Sequence, residues 1–141
     1  MAENRLSFEL KNRLSELDTL EEKVHGFSGQ LGLTEKSNCK INLVLEELFT
    51  NIVSYGYLDD SEHEVQFTIT HENGDLTIQI EDDGIPFNPA DASCPDLECT
   101  LEEREIGGLG IHLIRKLMDD VLYQRCGEKN VLILKKDISD L

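Results

Sequence analysis

Three short stretches of the chain hold residue types and spacings that could do chemistry. In "EELFTN", Glu47 and Asn51 are four residues apart, so a helix would stack them on one face, beside an apolar stripe. A carboxylate and a carboxamide so placed could share a water or a Mg²⁺ shell, because Mg²⁺ takes oxygen ligands and keeps several waters. Glu47 could then accept a proton from a hydroxyl nucleophile. A solvated helix edge would account for the same pair. Glu46 adjoins Glu47, and the four-residue step to Asn51 favours Glu47 as the base.

The second stretch is "IEDDGIPFNP", Ile80 to Pro89. Neighbouring residues on a strand point to opposite faces, so Glu81 and Asp83 should face away from Asp82, which disfavours a dedicated metal cage. An Asp ending a buried strand can accept a hydrogen bond from an exocyclic amine, and Gly84 removes a side chain so that flat aromatic surface can approach the backbone. An Asx-type turn explains the same residues structurally. The third stretch is "GGLG", Gly107 to Gly110 with Leu109 inside it. A glycine-rich helix start presents N–H groups and the positive end of the helix dipole to phosphates. It lacks the Lys-Ser/Thr ending of a P-loop, and a tight loop-to-helix junction would use the same residues.

The elements that must carry these stretches are legible from periodicity. "RLSFEL" alternates as a short strand, with Leu6, Phe8 and Leu10 on one face. From Asn12 the pattern turns helical, with Leu14, Leu17, Leu20, Val24, Phe27 and Leu31 at steps of three and four. Gly26, Gly29 and Gly32 imply that this helix frays toward its end. Thr34 is placed to cap a second helix whose buried stripe is Ile41, Val44, Leu45, Leu48 and Ile52, and which stops at Gly56. "EVQFTIT" and "DLTIQIED" read as strands joined through Asn73-Gly74, a hairpin signal. Residues 84–106 form a long aperiodic stretch of the kind that serves as a lid or is disordered. A helix follows from "GGLGIHLIRKLMDD", and "VLYQRC" and "VLILKK" close the chain as strands around the Gly127-centred turn "GEKN". The order β-α-α-β-β-loop-α-β-β predicts a two-layer α/β (α+β) sandwich, with a mixed, largely antiparallel sheet and helices on one face.

Composition narrows the function. With 141 residues, 39% hydrophobic and 30% charged, the chain is expected to form one globular domain, residues 1–141. Its start has neither a basic region nor an apolar run of signal-peptide type, so a cytoplasmic location is expected. Cys39, Cys94, Cys99 and Cys126 form no CxxC pair, which fits free thiols rather than a metal or redox site. A net charge of −16, from 29 acids and 13 bases, repels nucleic-acid phosphates and anionic lipid. Neither nucleic acid nor a membrane is therefore expected as partner. A bound nucleotide would need a divalent cation and backbone N–H groups to neutralise its phosphates.

Taken together, E-x-x-x-N on a helix, D-x-G ending a strand before a Phe, a long loop and G-x-G opening a helix resemble the Bergerat ATP-binding fold. That fold is shared by gyrase-type, chaperone, histidine-kinase and mismatch-repair ATPases, and the resemblance covers nearly the whole chain. Within it, "VLEELFTNIVSYGY", "IEDDGIPFNP" and "GGLGIHLIRKLMDDVLYQR" are similar to the small anti-sigma-factor serine kinases of bacterial partner switching. Those proteins bind a sigma factor and phosphorylate a serine on a small anti-anti-sigma protein. The first strand begins within a few residues of the start. Accordingly, the dimerising helices and phospho-acceptor histidine of sensor kinases, and the transducer domain of gyrases, are not expected.

The resemblance implies roles residue by residue. Glu47 matches the general base and Asn51 the residue that holds Mg²⁺ against the phosphates. Asp82 matches the carboxylate that accepts the adenine amine, with Gly84 under the base and Phe87 in the "PF" turn. Gly108 and Gly110 match the second glycine box, with Gly107 and Leu109 adjoining, and about Asn88 to Ile106 would form the ATP lid. Arg104 is the one base among the lid's acids and has no clean motif match. Homodimerisation is implied by the family alone. Three other readings stay open: a nucleotide-gated binding module without turnover, a same-family kinase in a pathway without a sigma factor, and an acidic interaction domain.

Overall fold

The structure, a computed structural model, describes residues 4–88 and 114–138. In chain order it contains β1 (Asn4–Lys11), a 3-10 turn (Leu14–Glu16), α1 (Leu17–Gln30), α2 (Glu35–Tyr55), β2 (Glu64–Glu72), β3 (Asp75–Asp82), β4 (Asp120–Cys126) and β5 (Lys129–Asp137). Residues 114–117 are helical. The strands form one sheet in the order β1-β2-β3-β5-β4, and every pairing among them is antiparallel.

Alternation in the strands makes the sheet two-faced. Val65, Phe67 and Ile69 of β2, Leu76, Ile78 and Ile80 of β3, and Leu132 and Leu134 of β5 are buried. They join Leu20, Val24 and Phe27 of α1 and the stripe Ile41, Val44, Leu45, Leu48 and Ile52 of α2 in one core. Each such side chain contributes roughly 1.5–3 kcal/mol when fully buried. Phe67 sits at the centre, stacked on Phe8 at 5.1 Å and tilted against Phe49 at 6.0 Å. The intervening residues, such as Glu64, Gln66, Thr68, Gln79 and Glu81, are exposed or half-buried on the other face. The expected two-layer sandwich, with helices on one face, is therefore present.

Both hairpins follow their turn chemistry. Asn73 and Gly74 have φ of 52° and 84°, as a type I′ turn demands. In the β4–β5 turn the left-handed position, φ 62°, falls to Gly127. Thr34 caps α2 as expected, its Oγ1 accepting from the Ser37 N–H at 3.1 Å.

Both ends of α1 differ from the sequence expectation. The helix expected through Asp120 ends at residue 117, because Asp120 already pairs with Lys135 as the first residue of β4. Helix α1 begins at Leu17 rather than Asn12, because Asn12 is tied to the start of β2. Its N–H donates to the His63 carbonyl at 3.0 Å, and its side chain accepts from the His63 N–H at 2.9 Å. Leu14 falls in the 3-10 turn and is left 48% exposed. Nor does α1 fray. Gly32 takes φ 74° and donates to the Gly29 carbonyl, while Leu33 donates to that of Ser28. That pair of bonds is a Schellman stop, which satisfies two of the last helical carbonyls.

Among the described residues, no helix is long and apolar enough to cross a membrane.

Candidate functional site

The C-terminal part of α2 and the end of β3 meet at one corner of the sandwich, and the contact is backbone to backbone. The Ile85 N–H donates to the Gly56 carbonyl at 2.9 Å. A Cβ added at Gly84 would lie 2.2 Å from that carbonyl oxygen. The glycine that follows the Asp82 strand is therefore required by this close approach. Gly56 is constrained in turn, since a Cβ there would meet the Ile52 carbonyl oxygen at 2.6 Å. Asn51 lies five residues before Gly56 and Asp82 two before Gly84, so this junction brings the last turns of α2 to the end of the Asp82 strand.

On α2, Asn51 is buried at 2% exposure, and Glu47 is half-buried one turn earlier. Burial raises the Glu47 carboxyl above the ordinary glutamate value. Glu46 is raised too, first by burial and then by Glu21 of α1. The electrostatic partner thus differs between the neighbours: Glu46 feels the other helix, whereas nothing but burial shifts Glu47.

Asp82 faces inward at 4% exposure, while Glu81 is half-buried and Asp83 exposed, as strand alternation requires. Its Oδ1 accepts from the Gly84 N–H and from the Asn130 side-chain amide, both at 2.9 Å. Burial pushes the Asp82 carboxyl above the ordinary aspartate value, and those two bonds oppose the push. A buried carboxylate held on one oxygen by two donors is oriented as well as stabilised.

Asn130 is the residue that sequence reasoning missed. It is 1% exposed, pairs with Asp82 in the β3–β5 register, and clamps the whole turn after β3. Its amide also donates to the Ile85 carbonyl at 2.7 Å. Its Oδ1 accepts from the Tyr123 hydroxyl, from the Phe87 N–H at 3.2 Å and from Arg125 at 3.2 Å. Arg125 additionally donates to the Gly84 carbonyl at 2.8 Å. The signal available beforehand was one polar residue beside the apolar run "VLIL", which reads equally as part of the Gly127 turn.

Phe87 is half-buried, with its ring 6.2 Å from that of Tyr55, the last residue of α2. Nearby, Tyr57 stacks on His63 at 4.4 Å, and burial, then Asp82, Asp83 and Asp59, hold its hydroxyl protonated. The imidazole of His63 bridges Asp59, at 2.9 Å from Nε2, and Asp83, at 3.1 Å from Nδ1. No group of three or more metal-binding side chains is assembled among the described residues. Asp82, Gly84 and Phe87 are thus joined through Asn130 and the Gly56 junction, and Asn51 and Glu47 lie on α2, five and nine residues before that junction. Gly107, Gly108, Leu109, Gly110, Arg104 and most of the proposed lid lie outside the described residues.

The profile of the histidine kinase-like ATPase domain matches residues 10–136. The anti-sigma F factor of Priestia megaterium is 29% identical over 119 residues, spanning 83% of this chain and 81% of that protein. The serine/threonine-protein kinase BtrW of Bordetella bronchiseptica is 29% identical over 94 residues, spanning 67% of this chain and 66% of the relative. Among solved structures, the histidine kinase domain of the Erythrobacter litoralis EL346 blue-light activated kinase superposes with a TM-score of 0.56 at 17% identity. That alignment covers 85% of this chain and 61% of the other.

Proposed function

The chain belongs to the histidine kinase-like ATPase domain family, and from that premise we propose that it is an ATP-dependent protein serine kinase that doubles as an anti-sigma factor. ATP binding follows from the family. The serine as acceptor follows from the likeness to anti-sigma F factors and to a serine/threonine-protein kinase. The partners on this reading are a sigma factor and a serine-bearing anti-anti-sigma protein, in the cytoplasm, and a homodimer is the assembly the likeness implies.

The observation that carries the nucleotide part is the inward Asp82 carboxylate, with Oδ1 committed to Asn130 and Gly84. Held in that way, the group is oriented to accept the exocyclic amine of adenine. Phe87 lines the base with apolar surface; for the phosphates the reading rests on the sequence alone, where Gly107 to Gly110 have the composition of a helix start that offers backbone N–H groups. The Asn51 carboxamide is an oxygen donor of the kind Mg²⁺ accepts alongside waters. When bound, Mg²⁺ supplies neutralisation of phosphate charge.

Glu47 accepts the proton of the partner's serine hydroxyl as its oxygen attacks the γ-phosphorus and ADP leaves. Burial, which raises the affinity of Glu47 for a proton, makes it a better acceptor than an exposed glutamate. Most of the rate comes from positioning and from fixed charge rather than from new covalent chemistry.

Calorimetric titration with Mg·ATP tests the adenine contact. Loss of a charge-assisted hydrogen bond is worth about 1.5–3 kcal/mol, so Asp82→Ala should bind about tenfold or more weakly. Equal affinity of the two proteins would remove Asp82 from the site.

A further inference from the structure

The far end of α2 carries a feature that the nucleotide site does not use. Lys40 and Ile41 of α2, Lys116 and Leu117 at the end of the 114–117 helical segment, Met118 and Lys136 of β5 surround a pocket of about 200 Å³. Lys40 precedes Asn51 by eleven residues, which places it about 16 Å away along the helix axis. The floor is apolar: Ile41 is 4% and Met118 7% exposed, and Leu117 is half-buried against the core. The rim is cationic. Lys136 faces Asp119 at 3.6 Å, and Lys40 and Lys116 have no ion pair among the described residues.

The charge of this rim runs against that of the chain. The protein carries 29 acids and 13 bases, yet three lysines gather around one apolar hollow. Lys36 lies one helical turn before Lys40, and Arg115 is adjacent to Lys116. Lysine stems cover apolar surface while their ammonium groups stay in water. A rim of this kind therefore favours a ligand with one aliphatic group for the floor and carboxylates on either side. Everywhere the acidic surface dominates, such a ligand is repelled.

The geometry points to this pocket as a docking site for an acidic segment of a protein partner, seated by one aliphatic side chain between flanking carboxylates. The inference is independent of the kinase reading, because it involves neither Glu47 nor Asp82. The segment binds by inserting the aliphatic side chain against Ile41, Leu117 and Met118, while its carboxylates meet Lys40, Lys116 and Lys136.

The test uses the full chain, labelled with ¹⁵N, and three short capped peptides. One is glutamate-rich with a central leucine, one has serine in place of that leucine, and one has lysines in place of the glutamates. The leucine peptide should shift the amides of Ile41, Leu117, Met118 and Lys136. Removing the aliphatic anchor should weaken binding about tenfold or more, and the lysine peptide should not bind. A Lys40→Glu, Lys116→Glu double variant should bind the leucine peptide about tenfold more weakly, with unchanged Mg·ATP affinity as the control for folding. Shifts centred elsewhere, equal binding of the serine peptide, or an unaffected double variant would overturn the proposal. So would displacement of the peptide by an equal concentration of inorganic phosphate, which would mark a simple anion site.

Discussion

Replacing Asn130 by alanine should disturb both stability and nucleotide binding, and the structure sets the size of the effect. Five bonds are lost at a residue only 1% exposed: two donated, to Asp82 and the Ile85 carbonyl, and three accepted, from Tyr123, Phe87 and Arg125. Arg125 is exposed and Tyr123 half-buried, so water can replace part of what they lose. The Ile85 carbonyl and the Asp82 carboxylate lose bonds inside the site. A bond to a charged group is worth about 1.5–3 kcal/mol and a neutral one about 1 kcal/mol, so the expected cost is about 3 kcal/mol. Against a typical total of about 5–15 kcal/mol, a loss of that size lowers Tm by about 10 °C.

The same substitution changes the pH dependence. Asp82 is raised above 3.8 by burial, and Asn130 makes the largest opposing contribution. Without Asn130 the folded-state value rises further. A carboxylate whose folded value exceeds its unfolded one costs stability while ionised, and the cost disappears as pH falls through the folded value. The deficit of the variant should accordingly be largest near neutrality and narrow in acid. Urea denaturation of both proteins across that range, read by circular dichroism, measures it. A deficit below about 1 kcal/mol, or one that stays constant with pH, would refute this account of the clamp.

Three further outcomes follow from the structure. Gly84→Ala forces a Cβ to within 2.2 Å of the Gly56 carbonyl oxygen and should cost about 2 kcal/mol or more. Gly26→Ala, with nothing within 4 Å of the added Cβ on α1, should stabilise by about 0.8 kcal/mol. Thermal denaturation distinguishes them by sign. His63 is held above 6.5, first by Asp59 and also by Asp83, while its bonds to Ser61 and His63 bring Asp59 down to about 2. The stability from protonated His63 is therefore present below 6.5 and lost as pH rises through its folded value. An NMR titration of the imidazole should show a midpoint above 6.5 that falls in Asp59→Asn.

What could be read in the sequence was local. The Asn73-Gly74 turn needs positive φ at two adjacent positions, and these residue types supply it. Thr34 precedes an amphipathic run, and a cap is decided within three residues. The inward aim of Asp82 follows from alternation alone, and Glu47 and Asn51 share a face because a helix repeats every 3.6 residues. What stayed hidden depended on distant parts of the chain. Asn130 acts only because β5 pairs with β3 in a register that sets it against Asp82, 48 residues away. The need for glycine at position 84 comes from a carbonyl at the end of another helix. The late start of α1 comes from the hold of His63 on Asn12. The lysine-rimmed pocket joins three segments that no short window contains.

Phosphate transfer from ATP labelled at the γ position shows whether Glu47 serves as the base that delivers phosphate to serine. The wild-type chain and Glu47→Gln are each incubated with Mg²⁺ and a serine-bearing anti-anti-sigma protein, with Mg·ATP affinity measured in parallel. Loss of the general base should slow transfer to serine by about a hundredfold or more while leaving nucleotide affinity within about twofold. Transfer at the wild-type rate by Glu47→Gln would contradict the mechanism. Nucleotide binding without transfer by the wild-type chain would contradict the kinase itself.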